Sequence, residues 1–328
     1  MQDYSSIGIY PGHTPIVEKD GILFKREDQN PTGSVKDRGI SAQLSYAVGL
    51  GQKVFVISSS GNAGISAGVY CQKLGLKLTI FVSPRTAKGK LGKLGELGIE
   101  VRTTEKPLFE SLKFAQETGA VHLRQSRDEV ALGGYSALGD EIFEQFGKET
   151  SNLEVFFPVS SGATLVGVGD AYRRLIAEGK LEKSPKLHAV QTTFIHPVAG
   201  GLLGLDPRSG SGMTQERRSL DCARDDNKTG LDYNKESEDS EKSLGLASAL
   251  CAPRTPLKER AVAIIRVSGG SGWIVSEEEI NVAWEILRQD AIETSAEGAV
   301  ALAGVYQAQK SKILKGRPLC LLTGRKYD

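Results

Sequence analysis

One lysine of the chain has a setting that suits covalent chemistry. Lys36 follows the turn-forming run Asn30-Pro31-Thr32-Gly33-Ser34, between a strand pattern at 21–25 and a helix pattern at 37–50. A cation at the N-terminus of a helix opposes the helix dipole, so this position is mildly unfavourable unless the charge is removed. A Schiff base with a carbonyl compound would remove that charge, and the alternative is a solvated lysine on the first turn of the helix.

Two further turns are rich in small residues and stand between a strand pattern and a helix pattern. The first is the run Ser58-Ser59-Ser60-Gly61-Asn62-Ala63-Gly64, and the second is Ser160-Ser161-Gly162-Ala163-Thr164. Such turns expose backbone N–H groups at a helix N-terminus, which is a favourable place for an anion. The alternative is an ordinary helix cap, since Ser and Asn are good N-cap residues. A Walker-type nucleotide site is disfavoured, because no Gly-Lys-Ser/Thr follows the second turn.

The elements that position these turns alternate along the chain. Apolar and β-branched runs predict strands at 53–57, 78–82, 99–102, 120–123, 154–159, 187–191 and 319–322. Helical spacing predicts helices at 63–74, 86–98, 164–179, 276–289 and 297–311, with Ser276 and Glu279 forming a capping box. This alternation predicts an α/β fold with mostly parallel sheets and helices on both faces. Residues 205–243 are polar and aperiodic, and we interpret them as a disordered insert without a catalytic part.

Composition excludes several classes of protein. The chain has 328 residues, enough for two domains, and a formal net charge of +1, which gives no basic surface for nucleic acid. It shows no signal peptide and no apolar run as long as a membrane span, so a cytoplasmic protein without a membrane partner is expected. Its four cysteines lack the spacing of a zinc site or a disulfide framework, and no metal site is predicted.

The block around Lys36 and the Ser-Gly-Asn-Ala block together resemble the fold-type II enzymes that use pyridoxal phosphate (PLP). Within that group, which includes the tryptophan synthase β chain, the run from Asn30 to Gly39 looks most like threonine synthases, although Val35 stands where those usually have Phe. The resemblance covers nearly the whole chain outside 205–243 and implies two three-layer αβα domains. The large one would comprise 1–39 and 147–328, and a smaller one, 40–146, would close over the substrate.

The resemblance assigns roles to residues in the three turns and to Thr323. It implies that Lys36 bonds the cofactor, that Asn62 contacts its phenolate oxygen, and that Thr323, after the last strand, faces its ring nitrogen. It places the cofactor phosphate on Ser160, Ser161, Gly162, Ala163 and Thr164, and the substrate carboxylate on Ser59, Ser60, Gly61 and Ala63. Ala163 stands where the family usually has Gly, and alanine tolerates a positive φ less well.

The activity is less sharply defined than the cofactor. A threonine synthase would convert O-phosphohomoserine and water to threonine and phosphate, with Lys36 as general acid and base and Lys88 as one contact for the second anion. The alternatives are a threonine or serine dehydratase, which forms a 2-oxo acid and ammonia, and a catalytically silent PLP-binding or amino-acid-binding protein. The segment Gly133-Gly134-Tyr135-Ser136-Ala137, interpreted as a loop, matches neither enzyme clearly. In either case the partner is a small amino acid, and a homodimer is expected because the family is commonly dimeric.

The last block that resembles the family is the run from Glu293 to Ala299. It is similar to a Glu-Pro-Ala-Ser/Gly-Ala block that lies beside the cofactor ring in the family, with Thr294 in place of Pro. Acidic residues at 293 and 297 are also what a helix start favours, so this match is the looser one.

Overall fold

The computed structural model describes residues 10–86, 88–205 and 255–325, together with the single positions 246, 247, 250 and 252. The predicted insert at 205–243 therefore lies outside the described residues, except for Leu205. Within the described part, no helix is long and apolar enough to cross a membrane.

The larger sheet has six strands in the order β1-β2-β10-β7-β8-β9. Their bounds are β1 Ile16–Lys19, β2 Ile22–Lys25, β7 Leu153–Pro158, β8 Lys186–Thr192, β9 Gly272–Val275 and β10 Arg317–Leu321. Neighbouring strands are parallel except for β1 and β2, which form an antiparallel pair at the sheet edge. The exits of β2, β10 and β7 therefore meet at one edge of the sheet.

The smaller sheet has four parallel strands in the order β5-β4-β3-β6. Their bounds are β3 Val54–Ser58, β4 Lys77–Val82, β5 Glu100–Thr103 and β6 Val121–His122. Ten helices of the described part connect and cover the strands: α1 Lys36–Gly49, α2 Asn62–Lys73, α3 Lys88–Glu96, α4 Pro107–Thr118, α5 Glu129–Phe146, α6 Ala163–Ala177, α7 Pro197–Leu202, α8 Lys258–Ser268, α9 Glu277–Gln289 and α10 Ala296–Lys310.

Both sheets are buried on both faces, which explains their continuous apolar strands. Along β7, Val155 and Phe157 pack in one cluster with α5, α6 and α8, whereas Phe156 points to the opposite cluster with α9 and α10. The same alternation places Ile57 of β3 against α1 and α2, and Val56 against α4. The α/β fold with mostly parallel sheets predicted from the sequence is confirmed, and so is the capping box of Ser276 and Glu279.

The segment 133–137 is not a loop, so that prediction was wrong. It lies inside α5, whose N-cap residue Asp128 accepts a hydrogen bond from Val130 N at 2.8 Å through its side chain. A Cβ added at Gly134 would lie 2.3 Å from the carbonyl oxygen of Arg38 in α1. The glycine therefore permits two helix backbones to approach closely, and does not mark a turn.

The division into two domains remains a proposal, and the packing of α5 bears on its boundary. Leu132, Leu138 and Ile142 of α5 belong to the same apolar cluster as α6 and the six-stranded sheet. This packing favours a boundary before Glu129, with α5 in the large domain, over a boundary at 147.

Candidate active site

The turn before α1 presents Lys36 at the start of the helix. Gly33 N donates to the carbonyl of Asn30 at 2.7 Å, and Gly33 adopts a φ of +86°, which favours glycine. A Cβ at that position would also lie 2.3 Å from Nε of Arg325, whose side chain covers the turn. Lys36 N donates weakly to Ser34 Oγ at 3.3 Å, so the turn is tied directly to the first helical residue.

Backbone hydrogen bonds join this turn to the end of β10. Val35 N donates to the carbonyl of Thr323 at 2.9 Å, and Arg325 N donates to the carbonyl of Gly33 at 2.9 Å. Ser34 and Gly324 form an isolated antiparallel bridge between these two bonds. Thr323, which is half-buried, therefore lies beside the lysine turn, as expected from the adjacent exits of β2 and β10.

Burial changes the acid–base behaviour of Lys36. The side chain is half-buried, and desolvation lowers the pKa of its amine from 10.5 to about 8. A measurable fraction of the amine is consequently neutral near physiological pH. A neutral lysine amine can act as a nucleophile toward a carbonyl group and as a general base.

Asn62, the first residue of α2, lies beside the lysine turn and the residues that follow β10. A Cβ added at Gly324 would lie 2.6 Å from Asn62 Nδ2 and 3.6 Å from Ser34 Cβ. The structure thus brings together three of the residues predicted from separate motifs, namely Lys36, Asn62 and Thr323. Only a residue without a side chain fits between the Asn62 amide and the lysine turn.

The turn before α2 is shaped for an anion. Residues 58–63 are half-buried, and the first helical bond is donated by Ile65 N to the carbonyl of Gly61 at 3.1 Å. The N–H groups before Ile65 therefore have no acceptor within the helix. A Cβ at Gly64 would lie 2.2 Å from the carbonyl oxygen of Ser59, so a glycine is required for the turn to fold back on the helix.

The turn before α6 has the same design at the exit of β7. The first helical bond is donated by Val166 N to the carbonyl of Gly162 at 2.9 Å, and no side chain caps the helix. Ser160, Ser161 and Thr164 are half-buried around these N–H groups. Gly162 has a φ of +84°, whereas Ala163 is the first helical residue and is not among the residues with positive φ. The expected strain at Ala163 is therefore absent, because the left-handed position falls on the glycine.

The block at 293–299 supports Gly324 from the other side. Thr294 Oγ1 and Ser295 N both donate to the carbonyl of Gly324, at 2.9 and 2.8 Å. Trp284 Nε1 donates to the carbonyl of Thr294 at 2.8 Å and fixes the block in turn. Thr294, which replaces the Pro of the family block, thus supplies a hydroxyl that fixes Gly324, the residue next to the Asn62 amide.

The sequence did not reveal the residues that hold the lysine turn in place. Asp37 accepts hydrogen bonds from Thr32 N at 2.7 Å and Ser66 Oγ at 2.6 Å, as well as from the Thr32 hydroxyl. Burial raises the pKa of Asp37, and these donors act in the opposite direction. The carboxylate joins the lysine turn to α2 and therefore to the Asn62 turn.

A buried cluster of four charges lies behind the lysine turn. The Arg38 guanidinium bonds both carboxylate oxygens of Glu27 and also Glu141, each at 2.7 Å, and Lys25 pairs with Glu141. The two positive and two negative side chains are all buried. Arg38 and Lys25 hold the pKa of Glu141 down at about 2, although burial alone would raise it. Arg38 directly follows Lys36 and Asp37 in the sequence, and this adjacency is the signal from which the cluster could have been predicted.

Lys88 has no contact with Lys36, Asn62 or Thr323 among those described for these residues. It is the exposed first residue of α3, on the smaller sheet, and its contact with a substrate stays a prediction. Arg85, in the segment before α3, is half-buried, and its guanidinium lies 3.8 Å from the Glu105 carboxylate.

The residues present fit PLP. An amine with a lowered pKa, an amide directed at the β10 exit and a hydroxyl at that exit are what its aldehyde, phenolate and ring nitrogen require. The uncapped N-terminus of α6, with three hydroxyls around it, suits a phosphate dianion without a cation.

Comparison with known proteins agrees with this chemistry. The family described as pyridoxal-phosphate dependent enzyme matches residues 9–324, so the chain belongs to that family and PLP is its cofactor. Threonine synthase from Methanocaldococcus jannaschii is 24% identical, over 99% of this chain and 77% of its own length.

Solved structures show the same fold at lower identity. The processed form of threonine deaminase isoform 2 from Solanum lycopersicum has a TM-score of 0.72 at 17% identity, covering 96% of this chain and 84% of that one. The L-serine ammonia-lyase from Rhizomucor miehei has a TM-score of 0.73 at 17% identity, covering 96% and 94%. The chain is a PLP-dependent enzyme of fold type II.

Proposed function

We propose that this chain is a threonine synthase-like lyase that converts O-phosphohomoserine and water to threonine and phosphate. The observation that supports it best is the Lys36 amine, with its pKa lowered to about 8, at the junction of the Asn62 turn and the β10 exit. The similarity to a threonine synthase along 99% of the chain supports the choice of reaction.

In this proposal the residues of the chain bind and orient the cofactor and the substrate, and they move protons. Bound PLP supplies an electron sink that makes protons on the substrate carbons removable. Lys36 would bond the cofactor, and its amine, when free, would move protons at Cα and Cβ of the substrate. A pKa of about 8 suits both directions of transfer, because the amine accepts and returns a proton near neutral pH.

The remaining site residues hold charged groups. Ser160, Ser161, Gly162, Ala163 and Thr164 bind the cofactor phosphate, Asn62 and Thr323 orient the ring, and Ser59, Ser60, Gly61 and Ala63 bind the substrate carboxylate. A hydroxyl at Thr323 cannot keep a proton on the ring nitrogen as a carboxylate would, which suits elimination and replacement reactions better than transamination. Lys88 would contact the substrate phosphate after the small domain closes and expels water.

The cellular setting is part of the same proposal. We infer a cytoplasmic enzyme of threonine biosynthesis that acts as a homodimer.

A threonine or serine dehydratase is the second candidate. The similarity of the fold to threonine deaminase and L-serine ammonia-lyase favours it, since those enzymes act on hydroxy amino acids. The same Lys36 would then assist loss of the Cβ hydroxyl, giving a 2-oxo acid and ammonia.

The test is a parallel assay of the purified holoenzyme with O-phosphohomoserine, L-threonine and L-serine. Release of phosphate with formation of threonine from O-phosphohomoserine supports the synthase, whereas 2-oxo acid from threonine or serine alone supports the dehydratase. Turnover of none of them, with the cofactor's visible absorption present, would favour a silent binding protein. Lys36→Ala should abolish turnover, and the control Lys53→Ala, at an exposed lysine, should not.

A further inference from the structure

The ring of Tyr135 lies beside the Lys36 amine. Lys36 Nζ is 5.8 Å from the centroid of the Tyr135 ring, within the distance at which a cation is attracted to an aromatic face. Tyr135 is fully buried and Lys36 is half-buried, so water screens the contact only in part. The tyrosine belongs to α5, about a hundred residues after the lysine, so no sequence motif contains both residues.

Three elements fix the position of this ring. Its hydroxyl donates to Gln125 Oε1 at 2.8 Å, in the one-turn helix Gln125–Arg127. On the α1 side, a Cβ added at Gly39 would lie 2.7 Å from the ring, so the glycine lets α1 rest directly on it. These contacts hold the ring face in a fixed position beside Lys36.

The acidic groups around the pair are engaged with other partners. Asp37, next to Lys36 on α1, accepts from Thr32 and Ser66, and Glu27 pairs with Arg38. Burial raises the pKa of the Tyr135 phenol, and the charges of Asp37 and Glu27 add to this effect, so the phenol stays neutral and keeps its hydrogen bond. An ammonium formed at Lys36 therefore has the electron-rich ring face beside it as a stabilising surface.

We propose that Tyr135 is a positioning residue whose ring face receives the Lys36 amine in its ammonium form between successive proton transfers. The inference rests on the proposed function, in which Lys36 shuttles protons at two carbons. It explains how a desolvated lysine can hold a proton although no carboxylate of the described residues pairs with it.

The test compares variants that remove the ring with one that keeps it. Tyr135→Leu and Tyr135→Met remove the ring, and the flexible Met side chain is the second choice if Leu does not fold. Tyr135→Phe keeps the ring. Tyr172→Leu is the matched control, since Tyr172 is equally buried in the same apolar cluster on α6.

The readout is the pKa of Lys36 in the full-length, cofactor-free protein. It is obtained from the pH dependence of acetylation of the Lys36 peptide by acetic anhydride, measured by mass spectrometry. Loss of the ring should lower this pKa by about one unit, since a cation–π contact partly shielded from water is worth about that much. Tyr135→Phe and Tyr172→Leu should leave it unchanged.

An unchanged or raised pKa in the variants without the ring would overturn the proposal, as would an equal fall in Tyr172→Leu. In the holoenzyme, loss of the ring should reduce kcat for O-phosphohomoserine and leave KM nearly unchanged. The labelling requires neither cofactor nor substrate, so its result stands even if the proposed reaction fails.

Discussion

Lys36→Met should make the cofactor-free protein more stable, and by an amount that depends on pH. Methionine has a similar length and no charge, so the variant removes the desolvated ammonium while still filling its space. The prediction follows directly from the burial of the Lys36 amine. A lysine retained at an unfavourable position is expected where function and not stability selects the residue.

The magnitude follows from the pKa difference between the folded and unfolded states. An unburied lysine has a pKa of about 10.4, and in the folded chain that of Lys36 is about 8. At 1.36 kcal/mol per unit, burial disfavours the ammonium by about 3 kcal/mol. That is a large share of the 5–15 kcal/mol by which proteins are ordinarily stable.

The sign and the pH window follow from proton linkage. Between about pH 8 and 10.4 the unfolded chain binds more protons at Lys36 than the folded chain, so wild-type stability rises with pH across this range. The destabilisation is nearly complete at pH 7 and falls to about 1 kcal/mol at pH 10. Lys36→Met should therefore gain about 3 kcal/mol over the wild type at pH 7 and about 1 kcal/mol at pH 10.

The assay is urea unfolding of both proteins at the two pH values after removal of PLP. Lys53→Met serves as the control, because Lys53 is exposed, and should change stability by no more than about 0.5 kcal/mol. An equal gain at pH 7 and pH 10, or a loss of stability at pH 7, would refute the assignment of a buried ammonium.

Two other perturbations test the framework around the lysine. Gly324→Ala should displace the Asn62 amide, because the new Cβ would lie 2.6 Å from Asn62 Nδ2. This variant should bind PLP at least tenfold more weakly in a fluorescence titration. The control Gly133→Ala places its Cβ in open space and should leave PLP binding unchanged. Arg38→Met should destabilise the protein by about 3–5 kcal/mol in urea, because it leaves buried carboxylates without their partner. Since the pKa of Glu141 is lowered from 4.5 to about 2, its stabilising effect is fully present above about pH 4.5 and is lost as pH falls toward 2, so the deficit of the variant should shrink over that range. A deficit that is constant with pH would contradict the pairing.

The parts of the fold that the sequence predicted are those with strong local signals. The strand β3 and the helix α9 were expected within one residue of their bounds, because a buried parallel strand and a capping box are encoded in consecutive residues. The three glycine-containing turns were located for the same reason. Each combines a strand end, small residues and a helix start within a few positions.

What escaped prediction depends on contacts between distant segments. Gly133 and Gly134 resemble a turn locally, and only the approach of Arg38 O in α1 explains a glycine inside α5. Tyr135 and Glu141 reach the lysine turn across about a hundred residues, so no spacing along the chain identifies them. Tertiary packing decided both cases.

The most direct test of the account is to identify the residue that bonds PLP. The purified holoenzyme is reduced with sodium borohydride, digested, and mapped by mass spectrometry. The account predicts the mass of the reduced cofactor on the peptide that contains Lys36, and its loss in Lys36→Ala. Cofactor fixed on another lysine of the wild type, or no fixed cofactor in a protein that retains PLP absorption, would contradict it.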